Sequence, residues 1–228
     1  SEGMIEQAGE IMDAFVYAVE NDRQGIPRVR NAYSAGNIGA LPGWASGARL
    51  PGWYDFSQSA TGDWFEDRYQ VGSNVGNTSY VALALLQYYK LVPSDQYLNT
   101  AKALMDWVID NCSDKGDGFT GGFDGWAEGE KPTVYVFTYK SIEHNIDAYA
   151  AFSELYRITN DAKYKEAAES ALRLIASMYD PEQGIFYTGT TNDGVTPNKS
   201  NIVLDAQVWS ALALGDAFTP YEAALNLV

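Results

Sequence analysis

Between Lys140 and Phe152 the chain reads Lys-Ser-Ile-Glu-His-Asn-Ile-Asp-Ala-Tyr-Ala-Ala-Phe. Glu143, His144, Asn145 and Asp147 fall within five residues, and His144 is the only histidine in the sequence. A helix starting near Ser141 would place all four on its opening turns, where free backbone N–H groups and the positive dipole end favour anions. Two carboxyl groups so placed suit glycosidic-bond hydrolysis, which needs one acid kept protonated and one ionised as nucleophile or base, roughly 5–10 Å apart. The competing reading is capping alone, with Ser141 as N-cap and Glu143 and Asp147 as dipole-favourable acids. Capping calls for neither a histidine nor an asparagine beside them.

Glu143 can be paired with Asp147 or with Asp205. Glu143 and Asp147 stand four apart and share one helix face. Being on one side of a single helix, they would flank a glycosidic bond poorly, so Asp205, from a later helix, is the better partner. Asp63, Glu66, Asp67, Asp117 and Asp124 are reserve acids from loops. The sequence has no Gly-x-Ser-x-Gly elbow and no phosphate loop ending in Lys-Ser/Thr. Asp114-Lys115-Gly116-Asp117-Gly118 has a faint calcium-loop look but lacks alternating ligands and a closing glutamate. With one cysteine, Cys112, and one histidine, neither a disulfide framework nor a zinc site is expected. No metal and no cofactor are expected.

The 228 residues can bury a proper core. Fifteen Lys plus Arg against 30 Asp plus Glu leave a net charge of -15. That field repels nucleic acid and anionic lipid, so neither is expected as a partner. Apolar runs such as Tyr80 to Tyr89 are too short to cross a bilayer. The start Ser1-Glu2-Gly3-Met4 has no basic segment followed by an apolar one, so any signal peptide is expected to have been removed or never to have been part of this chain. Aromatic residues make up 14% of the chain, and Trp44, Trp53, Trp64 and Trp126 sit beside Gly or Asp rather than in periodic runs. Some are therefore expected to line a groove rather than fill the core.

Helical spacing runs from Ile5 to Val19. Asn21 to Gln70 has no periodicity and reads as a long loop. Tyr80 to Tyr89 is apolar nearly all round, as a buried inner helix would be, and Tyr97 to Ile109 after Ser94 is a one-sided stripe. The alternation returns with Ile146 to Ile158 and Tyr164 to Met178, so that Tyr97-x-x-x-Ala101 matches Tyr164-x-x-x-Ala168. A third copy is signalled by Asp205-Ala206-x-x-Trp209, which resembles Asp147-Ala148-x-x-Ala151. Its second helix is expected to open at the Thr219-Pro220-Tyr221-Glu222 capping box. Glycine-rich links, Gly118 to Trp126 and Gly184 to Gly194, favour short β-hairpins.

Helix pairs joined by such links, with the Ser-x-Glu-His-Asn-x-Asp-Ala-Tyr-Ala-Ala-Phe run, resemble the six-hairpin glycosidase superfamily and in particular poorly characterised bacterial glycoside hydrolases. The resemblance covers most of the chain from Gln70 onward. It implies an all-α fold, part of an α/α toroid, with a substrate cleft at the loop-bearing ends of the inner helices. The chain reads as one domain, 1–228, that is incomplete at its C-terminus. It is expected to complete a ring with missing residues or to form a homodimer. The implied function is hydrolysis of an oligo- or polysaccharide by a two-carboxylate mechanism; the catalytic candidates, Glu143, Asp147, Asp205 and His144, come from the residues themselves and not from a family motif. Trp126, Tyr135, Asn145, Asn77, Trp209 and Asp124 are the substrate-binding candidates. A polysaccharide lyase, for which Lys140, Arg68 and Lys199 would hold a uronate, and a non-catalytic glycan-binding or scaffold domain remain alternatives. The expected location is secreted, periplasmic or cell-surface, with a cytoplasmic one left open.

Overall fold

The computed structural model describes residues 2–22, 25–33, 53–55, 60, 63–65, 72–127 and 130–227. Trp44, Glu66, Asp67 and Arg68, singled out by the sequence, lie outside them. The chain forms two compact units, one of Ser1–Leu104 with Phe123–Val136 and one of Met105–Gly122 with Phe137–Val228.

In the first unit, α1 (Glu2–Glu20) bears out the 3.6-residue periodicity, with Met12, Val16 and Val19 buried. It packs on α2 (Val75–Leu91), and helix α3 (Asp95–Cys112) begins directly after Ser94. The Tyr97 hydroxyl donates to Asp13 Oδ1 at 2.8 Å, tying the start of α3 to α1. The expectation that α2 is buried all round does not hold. Its core face of Val75, Ala82, Leu85 and Leu86 is inaccessible, but Tyr80 is 59% exposed. Apolar residue type alone did not show that one face of α2 is uncovered.

The long loop expected from Asn21 to Gln70 also contains a strand pair. β1 (Trp53–Asp55) runs antiparallel to β2 (Asp63–Phe65), with Trp53 opposite Phe65 and Asp55 opposite Asp63. Their aromatic residues favour strand over coil. A second sheet orders β3 (Ser73–Asn74), β4 (Gly122–Ala127) and β5 (Glu130–Val136). Across β4 and β5, Asp124 faces Tyr135 and Trp126 faces Val134, with a register shift between the two pairs.

The second unit is built on α4 (Ile142–Thr159) and α5 (Ala162–Ser177). Ser141 caps α4, Asn160 ends it in the left-handed conformation at φ 53°, and Asp161 caps α5 by accepting from Lys163 N at 3.1 Å. Tyr97 and Tyr164 are each the third residue of their helices and both are buried, so the repeat read from the sequence is a structural one. Next come β6 (Tyr179–Asp180), β7 (Ile185–Phe186) and α6 (Leu204–Leu214). Ile142, Ile146, Ile175, Phe186, Ala206 and Phe218 share one apolar core. Burying a side chain the size of Phe186 contributes about 1.5–3 kcal/mol.

The last expected helix differs. No new α-helix opens at Thr219; a 3₁₀ helix runs from Gly215 to Leu227 with Pro220 inside it. The Thr219 hydroxyl donates to Asp216 O at 3.0 Å instead of capping the following turn. The reason lies in a spacing of three: Phe218, Tyr221 and Ala224 align on one edge of a helix with three residues per turn, and all three pack into the core.

The links form the short hairpins expected of them. Gly184, at φ 65°, turns β6 into β7, and a bridge between Thr190 and Pro197 closes the Asp193-Gly194 turn. Gly189 is the constrained point, with φ 135° and a backbone bridge to Ser141. A Cβ there would collide with the carbonyl oxygen of Lys140. Gly189→Ala is expected to cost about 3 kcal/mol and to lower Tm by roughly 6–12 °C. Gly25→Ala, with nothing near its Cβ, is expected to cost only about 1 kcal/mol. Thermal melts of both variants check this, and equal shifts would contradict it.

Candidate functional site

The start of α4 is fixed by three hydrogen bonds to Thr188 and Thr190. Ile142 N donates to Thr188 O at 3.0 Å, and Thr190 N donates to Lys140 O at 2.8 Å. Lys140 N donates to Thr190 Oγ1 at 2.9 Å. Lys140 itself is buried, and its ammonium reaches Asp114 Oδ1 at 2.7 Å and Asp117 O at 2.8 Å. The segment with the faint calcium-loop look is therefore a seat for this lysine. Lys140 is not available to hold a uronate carboxylate, and Lys199 lies over the Tyr187 ring. Arg68 is outside the described residues.

Asn145 has a role other than the substrate binding expected of it. It is fully buried, its Oδ1 accepts from Phe119 N at 2.7 Å, and its Nδ2 donates to Phe119 O at 3.0 Å and Ser141 O at 2.8 Å. Gln207 makes the same three bonds in the next repeat. Its Oε1 accepts from Phe186 N at 2.8 Å, and its Nε2 donates to Phe186 O at 2.9 Å and Val203 O at 3.1 Å. Asn145 and Gln207 are each the fourth residue of their helices. Each clamps the phenylalanine of a glycine-containing link. Sequence reasoning missed Gln207, although an amide at the same helical position, downstream of a Gly-Phe or Gly-x-Phe link, was there to be read.

With the helix starts known, the alignment of acids changes. The sequence match set Asp205 against Asp147, but by position in the helix its equivalent is Glu143. Glu143 and Asp205 are each the second residue of their helices, α4 and α6, which pack together. Val203 makes no side-chain cap, so Asp205 supplies the negative charge at the start of α6.

The acids sense one another. Burial, and next the charge of Asp205, hold the Glu143 carboxyl above its ordinary pKa. Burial, and next the charge of Glu143, push Asp147 up to about 7. Asp147 therefore carries a proton to near neutrality while Asp205 stands exposed at the surface. His144 is pushed down to about 4 by burial, so its imidazole is neutral, and its Nδ1 is buried without a hydrogen-bond partner. Trp209, on α6, packs half-buried against the core. Glu143, His144, Asp147, Asp205 and Trp209 all belong to the second unit.

Asn77, Asp124, Trp126 and Tyr135 belong to the first unit. Asn77 is exposed and donates to Asn31 Oδ1 at 3.1 Å, which also accepts from Asn74 N at 2.8 Å. Asp124, Trp126 and Tyr135 lie on β4 and β5 as described. Of the loop acids, Asp117 accepts from Arg173 Nε at 2.7 Å. No cluster of three or more His, Cys, Asp or Glu able to hold a metal occurs among the described residues.

No protein-family model and no curated protein match the sequence. Solved structures do. A family 76 glycoside hydrolase from a bovine Bacteroides thetaiotaomicron strain matches with a TM-score of 0.52 at 19% identity, over 73% of this chain and 37% of that one. Cellobiose 2-epimerase from Bacillus thermoamylovorans gives 0.51 at 13% identity, over 73% of this chain and 44% of that one. The fold is that of part of an α/α toroid. A family 76 α-mannanase from Bacteroides thetaiotaomicron gives 0.50 at 14% identity, over 96% of this chain and 58% of that one. The chain thus spans less than two thirds of the length of each of these toroid structures. At these identities the likeness carries the fold, and the chemistry has to be argued from the side chains. Among the described residues no helix is long and apolar enough to cross a membrane.

The site makes a prediction about stability. In the folded chain Asp147 holds its proton up to about pH 7, but the unfolded chain releases it near the usual carboxylate pKa. The folded state therefore binds more protons in that window, and stability from this group falls as pH rises from about 4 to 7. Asp147→Asn is expected to raise Tm at pH 8 relative to the parent and to leave it unchanged at pH 3.5. Melts at the two pH values check the sign; a variant that lowers Tm at pH 8 would contradict it.

Proposed function

We propose that this chain carries the catalytic carboxylates of a glycoside hydrolase acting on an oligo- or polysaccharide. The observation that carries the reading is the placement of Glu143 and Asp205 as the second residues of two helices that pack together. Glu143, raised by burial and by a like charge, is suited to hold a proton for the leaving-group oxygen. Asp205, exposed on a first helical turn, is placed to act as nucleophile or as the base for water. Asp147 supports the pair by remaining neutral beside Glu143 at the pH where Glu143 must give up its proton.

A second reading comes from the epimerase among the toroid structures, since such chemistry needs a base at a carbon. His144 is neutral and its Nδ1 unpaired, which favours that reading, but a base pushed down to about 4 abstracts protons weakly at neutral pH. The lyase alternative is weakened by the commitment of Lys140 to Asp114. The carboxylates fit hydrolysis better than either.

Incubation with a glycan panel separates the possibilities. Hydrolysis releases new reducing ends, epimerisation changes a sugar without cleavage, a lyase leaves an unsaturated product that absorbs in the ultraviolet, and a binding domain turns nothing over. Glu143→Gln and Asp205→Asn are each expected to lower kcat/KM by roughly 10²–10⁴. Both should melt within a few degrees of the parent, because neither removes packing. Reducing-end release at the parental rate by either variant would contradict the assignment.

A further inference from the structure

A cavity of about 510 Å³ opens in the second unit beside the start of α4. Tyr139, Lys140 and Ser141 line one side, and Thr188, residues 190–192 and Asn198 line the other. Its size is within the usual range for small-ligand sites. Its chemistry is more telling. Every lining side chain but one is an uncharged hydroxyl or amide, and the exception, Lys140, turns its ammonium away onto Asp114 and Asp117.

Part of the wall is already satisfied. Thr190 Oγ1 accepts from Lys140 N and donates to Thr191 O at 2.9 Å. Other groups have capacity to spare. Ser141 Oγ accepts only a long bond from His144 N, at 3.5 Å, and keeps its own proton to donate. Asn198 Oδ1 is taken by Ser200 N and Ser200 Oγ, which leaves its Nδ2 as a donor. Among the described residues the Thr188 hydroxyl and the Asn192 amide make no side-chain hydrogen bond; their backbone carbonyls are used, Thr188 O by Ile142 N and Asn192 O by the Thr138 hydroxyl.

Such a surface offers donors and acceptors at short range without a charge. Sugar hydroxyls both donate and accept, so they exchange their water partners for these groups at little cost. A carboxylate or sulfate would lose hydration and find the one lysine of the wall already paired with Asp114, inside a chain whose net charge is -15. We propose that this cavity is a subsite for uncharged pyranose units that excludes uronates and sulfated sugars. It deepens the hydrolase reading and rests on it for its purpose, because Ser141, in the cavity wall, caps the helix that carries Glu143.

The test uses the Glu143→Gln protein, so that turnover does not consume the ligand. It is applied to an array of neutral gluco-, manno- and galacto-oligosaccharides beside oligogalacturonate, oligoglucuronate and sulfated glycans. Only neutral glycans are expected to bind. Thr188→Val and Asn192→Ala on the same background should each weaken the best neutral ligand about three- to tenfold by calorimetry, without moving Tm. Acidic glycans bound equally tightly, no glycan bound at all, or neutral binding untouched by both variants would each overturn the proposal. The two readings fail separately. A neutral glycan bound through Thr188 and Asn192 but never cleaved by the parent protein sinks hydrolysis and supports the subsite. Equal cleavage of acidic and neutral glycans keeps hydrolysis and sinks the subsite.

Discussion

Two primary amides hold the second unit in register. A link that runs past the end of a buried helix brings unpaired backbone groups with it, and each such group left without a partner costs about 1–3 kcal/mol. Asn145 and Gln207 meet that constraint in the same way, each turning both faces of its amide onto one phenylalanine and its spare N–H onto the carbonyl four residues back. Once the fourth residue of each helix is committed, the second residue has no choice of place. Glu143 and Asp205 are therefore brought to equivalent positions by groups that touch neither of them.

That placement works against stability and in favour of chemistry. Glu143 and Asp147 are partly withdrawn from water and lie near like charge, so both are held above their ordinary pKa values. His144, withdrawn in the same way, gives up its charge. Between pH 4 and 7 the two effects oppose each other. Rising pH costs stability through Asp147 and restores it through His144, which in the folded chain resists the proton that the unfolded chain accepts. Perturbation of this kind, clustered on the first two turns of α4, is more characteristic of a functional site than of capping alone.

Much of the architecture was legible in the sequence. Helical periodicity located α1, α4 and α5, and the Tyr-x-x-x-Ala repeat marked equivalent turns of α3 and α5. Legibility stopped where a residue's task depends on what lies across from it in space. Asn145 reads as a polar group beside acids and looks like a ligand-binding residue; only its burial against Phe119 reveals a clamp. Lys140 reads as a cation free to bind a uronate, yet it is sealed onto Asp114. The Asp-Ala dipeptides at 147 and 205 are similar in sequence but lie one helical turn apart in place, because the start of a helix is set by its caps and clamps rather than by the repeat itself. A spacing of three in Phe218, Tyr221 and Ala224 outweighed a well-formed capping box. The cavity beside Ser141 had no sequence signature, since its wall is built from two segments about fifty residues apart.

The coupling of Glu143 to Asp205 is the claim on which the chemistry stands, and it can be read directly. Carboxyl carbon shifts of Glu143, followed by NMR against pH in the parent and in Asp205→Asn, report the interaction without any substrate. The Glu143 pKa is expected to lie above the ordinary glutamate value in the parent and to fall when the Asp205 charge is removed, while the spectrum elsewhere is preserved. A Glu143 titration that starts at the ordinary value, or that does not move in Asp205→Asn, would contradict it.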